Sequence, residues 1–349
     1  MKTQKLAKDC GDCSYDVNNR NSTPASAITI TPQLIPATLK FNPNESLYLQ
    51  PMSHRANLDF DFLVRKQMNN DIPTLVETDW LAANLSSGEI RIIDATWYLP
   101  TVDRNGIENY NDGHIPGAVF WDIDAISDPN TQLPHMMPDE AIFEGHMREL
   151  GIGSEHHIIV YDNVKMMTAP RVWWTLRAFG HDKVSILNGG QKKWVAENRS
   201  LTKTSSCTHA TNFIARLDTL MIRSIDEVRE NLINNQEQLL DARTSRRFNG
   251  IDPEPRPGCR SGHIPKSLNL PFNQLIDEES GLFKSAEDLK SIFDAAGIDE
   301  ASTIVTTCGS GITACVLALG LYLTGRYDVA VYDGSWTEWG GHEDTPVAS

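Results

Sequence analysis

From Pro73 onward the chain of 349 residues repeats itself. Arg91-Ile92-Ile93-Asp94-Ala95 recurs as Gln238-Leu239-Leu240-Asp241-Ala242, and Gly113-His114-Ile115-Pro116 recurs as Gly262-His263-Ile264-Pro265. Val184-Ser185-Ile186-Leu187-Asn188-Gly189-Gly190 returns as Val329-Ala330-Val331-Tyr332-Asp333-Gly334-Ser335, with Trp194 matched by Trp339. Blocks in the same order at offsets of 145 to 149 (184 to 329, 113 to 262) mean two copies of one domain. The length agrees, at roughly 150 residues per domain.

Within each copy, short apolar runs read as buried parallel strands: Arg91–Ile93, His157–Tyr161, Lys183–Leu187, Glu237–Leu240, Ser302–Thr306 and Asp328–Tyr332. Helical patterns alternate with them, at Pro170–Phe179, Ser285–Ala296 and Thr313–Leu323. The expectation is an α/β fold, with two tandem domains that each hold a parallel sheet flanked by helices. Boundaries are set at 73–202 for the first domain, 203–221 for an aperiodic linker and 222–349 for the second. Residues 1–72 differ. Asn18 to Ser53 is rich in Asn, Ser, Thr and Pro without a sustained period, so this extension is expected to be mostly disordered, and Met52 or Met68 is an alternative start. Its Cys10-x-x-Cys13 pair lacks a second CxxC or CxxH to complete a zinc site.

Composition excludes more than it selects. Lys plus Arg number 31 against 46 Asp plus Glu, a net charge of −15, which argues against nucleic acid or an anionic membrane as partner. No window of 18 apolar residues is present for a transmembrane helix. The first 20 residues have no apolar secretory core, and Asp9, Asp12 and Asp16 sit among Lys2, Lys5, Lys8 and Arg20, unlike an acidic-poor presequence. Six scattered cysteines do not form a disulfide framework. The reading is a reducing, intracellular protein, cytoplasmic, with the mitochondrial matrix as the alternative, and without metal or cofactor.

The two copies part where chemistry would sit. In the second, Ile304-Val305-Thr306-Thr307 runs into Cys308-Gly309-Ser310-Gly311-Ile312-Thr313 and then an apolar helix. Two glycines in four residues let the backbone curl, aiming amides at one point where a helix N-terminus adds partial positive charge. Such a cradle stabilises a thiolate, which is the nucleophilic form of cysteine. The corresponding stretch of the first copy, Tyr161 to Pro170, has neither cysteine nor glycine and is expected not to form the cradle. One domain is active and the other is not.

With these residues in place, the chain from Pro73 to Ala348 resembles the tandem rhodanese sulfurtransferases, and among them the 3-mercaptopyruvate branch. The shared landmarks are Asp-Ala and Gly-His-Ile-Pro in both copies, the loop Cys308-Gly309-Ser310-Gly311-Ile312-Thr313-Ala314, and Tyr332-Asp333-Gly334-Ser335-Trp336. Thiosulfate-type relatives tend to carry basic residues inside the loop, as a dianionic donor requires. Gly309 and Ser310 supply none.

The resemblance implies that Cys308 takes sulfur from 3-mercaptopyruvate as a persulfide, releases pyruvate, and passes the sulfur to a thiol or to cyanide. It implies Arg247 and Arg256 as binders of the substrate's carboxylate and keto oxygens, with Gly309, Gly311, Ile312 and Thr313 as the loop around the donor. It also suggests a relay of Ser310, His135 and Asp124, the last two from the first domain; the alternative is that they only stitch the domains together. The acceptor it suggests is thioredoxin or a small thiol. The competing activities are a thiosulfate:cyanide sulfurtransferase and a non-catalytic binding module. A cysteine phosphatase would need an arginine six residues after the cysteine, where Ala314 stands. His114 and His263, present in both copies, read as structural. Cys315 and the tryptophans Trp173, Trp174, Trp336 and Trp339 read as core, and Arg246 and Arg260 as solvated.

Overall fold

Two five-stranded parallel sheets carry the chain, and their strand orders are identical. The first uses β1 (Leu75–Val76), β2 (Ile90–Asp94), β3 (Ala118–Phe120), β4 (His157–Tyr161) and β5 (Val184–Leu187) in the order β1-β5-β4-β2-β3. The second uses β6 (Ile222–Arg223), β7 (Glu237–Asp241), β8 (Leu268–Asn269), β9 (Thr303–Thr307) and β10 (Val329–Tyr332) in the order β6-β10-β9-β7-β8. The computed structural model describes residues 72–206 and 209–349. Met52, Met68, the Cys10/Cys13 pair and nearly all of the expected extension lie outside the described residues.

The register repeats as well. β2 pairs with β4 from Ile90↔His157 to Asp94↔Tyr161, and β7 with β9 from Glu237↔Thr303 to Asp241↔Thr307. Asp162 and Cys308 therefore leave their sheets at the same place, beside the ends of β2 and β7. The buried runs of Ile, Val and Leu that form the middle strands are what a sheet covered on both faces needs.

The two domains join through the helices that follow these exits. The helix Ala169–Ala178 packs against the helix Ala314–Leu323. Nine of the ten residues of the former and eight of the ten of the latter are buried, which explains why Ala314–Leu323 is apolar all round. Each fully buried Leu or Val there contributes roughly 1.5–3 kcal/mol. Other helices begin where the sequence offers caps: Asp139 accepts from Ile142 N, Ser285 from Asp288 N, and Ser224 with Glu227 forms a capping box.

The connection between the copies is strapped to the first domain rather than loose. Arg216 N donates to Phe179 O, Asp218 N to Ala178 O and Ser154 N to Asn212 O, with Phe213 in the core. The two Gly-His-Ile-Pro histidines are structural in both copies. His114 stacks on Tyr110 and His263 on Phe248, and each bonds the carbonyl of the residue it stacks on through Nδ1.

The repeated Asp-Ala hides opposite electrostatics. Asp94 and Asp241 both accept a backbone N–H two residues on, from Thr96 and Arg243. The Arg243 guanidinium folds back onto Asp241 at 2.7 Å. Asp94 is fully buried and has no ion pair among the described residues, and burial pushes its carboxyl above the ordinary value. Folding thus holds the Asp94 proton more tightly, so its contribution is fullest below the unfolded value and is lost as pH rises through the folded one. Asp94→Asn is expected to raise Tm at neutral pH, with the gain fading towards about pH 4. A lower Tm than the parent at neutral pH would refute this.

Candidate active site

Cys308 is the first residue beyond β9 and is only 2% exposed. Its loop is held from beneath by the turn after β10. Ser335 Oγ accepts the N–H of Cys308 (3.2 Å) and of Gly311 (3.1 Å) and donates to Tyr332 O (2.8 Å). Trp336 N donates to Cys308 O, and Thr337 N and Oγ1 both donate to Gly309 O. Gly311 needs to be glycine: its φ is +79°, and a Cβ would lie 3.0 Å from both Asp333 O and an Arg171 nitrogen. Its N–H is taken by Ser335, so Gly311 contributes conformation rather than a free donor. The N–H groups of Gly309, Ser310, Ile312 and Thr313 have no acceptor among the described residues.

The first domain delivers the expected relay residues to this loop. His135 Nδ1 lies 3.1 Å from Ser310 Oγ and 3.1 Å from Ser310 O, and its Nε2 lies 3.0 Å from Asp124 Oδ1. With the proton on Nε2 facing the carboxylate, Nδ1 is the acceptor for the Ser310 hydroxyl. Trp97 Nε1 donates to Asp124 Oδ2 at 2.9 Å, and its ring stands edge-on to His135. The bond from His135, with that from Trp97, holds the Asp124 carboxyl below its ordinary value. His135 is buried, whereas the Asp124 side chain is 62% exposed.

The arginines differ in kind. Arg247 is bound to Glu254, with Nη2 to Oε2 at 2.5 Å and Nε to Oε1 at 3.3 Å, and its guanidinium lies against the Cα of Gly309. Arg256 has no hydrogen bond or ion pair among the described residues. Burial pulls it below its ordinary value, and the neighbouring Cys308, Cys259 and Asp124 counteract part of that. It lines a cleft of about 620 Å³ between the domains, with Leu99 and Pro134 on one side and Cys259 and Thr337 on the other. An unpaired, half-buried guanidinium is a receptor for an anion.

Three features escape sequence reasoning. Glu254, only 3% exposed, joins Arg247 to Arg243, which itself pairs with Asp241, so a four-charge ladder runs from β7 to the cleft. Ser335 lies inside the repeated block, and its counterpart Gly190 lacks a hydroxyl; that difference between copies was a readable signal. Arg171 and Asp333, 162 residues apart, form a buried pair at 2.7 Å across the domain interface.

Two expectations are corrected. The glycine-free loop of the first domain does form an amide cradle. Asp162 stands where Cys308 stands, and its carboxylate accepts from the N–H groups of Val164, Met166, Thr168 and Ala169 at 2.8–3.0 Å. Lys165 and Met166 adopt φ near +60°, a strain that four charge-assisted bonds offset. The cradle exists and is filled by the chain's own anion. Arg260 is not solvated either: it bonds the carbonyls of Trp339, Gly340, His342 and Thr345 and staples the C-terminal segment. Arg246 is exposed as expected, against Asp252. Cys315 and the four tryptophans are buried. Among the described residues no group of His, Cys, Asp or Glu could hold a metal ion, and no helix is long and apolar enough to cross a membrane.

Residues 77–197 and 224–342 each match the rhodanese-like domain family. The chain is 41% identical over 271 residues to the human 3-mercaptopyruvate sulfurtransferase, covering 76% of this chain and 91% of that one. It is 42% identical over 272 residues to a thiosulfate sulfurtransferase of Cricetulus griseus, again covering 76% and 91%. The crystal structure of a 3-mercaptopyruvate sulfotransferase from Escherichia coli superposes with a TM-score of 0.70 at 40% identity, over 75% of this chain and 98% of that chain. A duplicated domain, one cradle holding a cysteine and the other filled by aspartate, and these likenesses have one explanation: the chain belongs to the rhodanese-like family, among the two-domain sulfurtransferases that include the 3-mercaptopyruvate enzymes.

Proposed function

We propose that this sulfurtransferase takes its sulfur from 3-mercaptopyruvate. The observation that carries the reading is the unpaired Arg256, which lines the cleft and feels the charge of Cys308, beside a cysteine loop that itself contributes no cationic side chain. A donor whose carboxylate is separate from its reacting sulfur suits guanidinium groups contributed from outside the loop; a donor that carries its charge on the sulfur would favour a cation within the loop. The similarity to a thiosulfate sulfurtransferase is as high as to the mercaptopyruvate enzymes, so overall identity does not choose the donor.

Arg247 and Arg256 bind the carboxylate and keto oxygens. The donor thiol loses its proton, and the Cys308 thiolate attacks the donor sulfur. The carbon–sulfur bond breaks, its electron pair passes to carbon as the enolate of pyruvate, and that enolate takes up a proton. Ser310 and His135 move these protons, with Asp124 holding the imidazole tautomer. An acceptor thiolate then attacks the outer sulfur and frees Cys308. The free amides of Gly309, Ser310, Ile312 and Thr313 stabilise the charge on sulfur. Thioredoxin or a small thiol is the acceptor we favour, in the cytoplasm, with the mitochondrial matrix as the alternative.

Pyruvate release from 3-mercaptopyruvate with a thiol, run beside thiocyanate formation from thiosulfate and cyanide, tests the donor. Mercaptopyruvate is expected to give the higher kcat/KM. Arg247→Ala is expected to raise its KM roughly 10–100-fold, the loss of a hydrogen bond to a charged group. A preference for thiosulfate would overturn the donor assignment.

A further inference from the structure

We propose that Arg171, supplied by the domain without the cysteine, is a positioning residue that sets the Cys308 loop against His135. The inference rests on the reading that His135 and Ser310 move the proton. Arg171 is the third residue of Ala169–Ala178 and is 4% exposed. Its Nη1 donates to Asp333 Oδ1 at 2.7 Å and to Gly311 O at 3.3 Å, and its Nη2 donates to the carbonyl of His135. The other oxygen of Asp333 accepts Met137 N at 2.7 Å. One fork therefore bridges the loop that carries the nucleophile and the turn that carries the base. His135 sits in that turn with φ +64°, a conformation that needs outside support.

The domain interface supplies its own control. It is duplicated: Phe283 N donates to Asn188 Oδ1 at 3.2 Å, as Met137 N does to Asp333. At that second contact the acceptor is a neutral amide, and the third residue of the matching helix, Val316, carries no charge. The helix pair packs there without a buried cation. Among the described residues, a buried charged pair crosses the interface only on the side where the cysteine and the histidine meet. Asp162 belongs to the same device, since its carboxylate takes the N–H groups of Thr168 and Ala169 and so fixes the start of the helix that delivers Arg171.

The test copies the neutral contact into the charged one. Arg171→Met combined with Asp333→Asn strands no charge, so Tm is expected to stay near that of the parent. The kcat for pyruvate release is expected to fall about 10²-fold with little change in KM, because Arg247 and Arg256 are untouched. Combined with His135→Asn, the losses are expected to be non-additive. A kcat within about 3-fold of the parent, or strictly additive losses, would overturn the proposal. His135→Asn alone reads the relay, so that reading can fail separately. Should the double variant not fold, Arg171→Lys keeps a charge for Asp333 but loses the planar fork, and the same fall in kcat is expected.

Discussion

Cys308→Ser is expected to lower pyruvate release by about 10⁴-fold or more while leaving the fold intact. Serine fits the same space beyond β9, and the backbone bonds of Cys308 to Ser335 and Trp336 do not involve its side chain. A hydroxyl is a weak nucleophile without strong activation, so transfer stops at the first step. Neither of the other described thiols can replace it. Cys315 is fully buried, its thiol is pushed up to about 12 by burial, and it points at Gly311 O. Cys259 lines the cleft, but burial and then Glu254 push its thiol up as well. Parent protein treated with donor in the absence of acceptor should gain one sulfur atom, localised by fragmentation mass spectrometry to Cys308. Sulfur found on Cys259 or Cys315, or turnover of the variant within about tenfold of the parent, would remove Cys308 from its role.

The second large effect is on stability. Arg243→Met is expected to cost about 3–5 kcal/mol, because it strands the buried Asp241 carboxylate and leaves the buried Glu254 to Arg247 alone. Asp241 and Glu254 have side chains 1% and 3% exposed, and Arg243 neutralises both, with a further bond to Gly262 O. Glu254, held between Arg243 and Arg247, also loses one of its two anchors, so the orientation of Arg247 loosens and the KM for donor is expected to rise. Removing all three charges together, with Asp241→Asn, Arg243→Met and Glu254→Gln, should recover most of the lost stability without recovering the KM. Denaturant midpoints and Tm of the two variants decide this. A loss below about 1 kcal/mol in Arg243→Met would show that water reaches the ladder and screens it.

The elements read from sequence match the structure to within a residue or two because their causes are local. Ser302–Thr306 became Thr303–Thr307, and Ser285–Ala296 became Ala286–Ala295 with Ser285 as its cap. Periodicity, caps and glycine placement act over a few neighbouring residues. The cysteine loop was legible for the same reason, since Gly309, Gly311 and the following helix adjoin Cys308. The resemblance carried His135 and Asp124 to the site, although nothing near them in sequence points there.

The errors have a common cause. The absence of glycine predicts a loop that does not curl, yet the Asp162 anion bound by four amides outweighs the strain at Lys165 and Met166. Arg260 reads as solvated from sequence because its carbonyl partners lie some 80 residues away.

From its sequence alone this chain is a duplicated α/β protein with one cysteine-bearing loop, since repeats and local backbone preferences are written in neighbouring residues. The tertiary structure alone decided which charges meet. Asp94 and Asp241 occupy the same repeat, yet one is buried without a cation and the other is locked to Arg243. Arg171 and Asp333 become a pair only when two domains pack, and burial then makes that pairing obligatory.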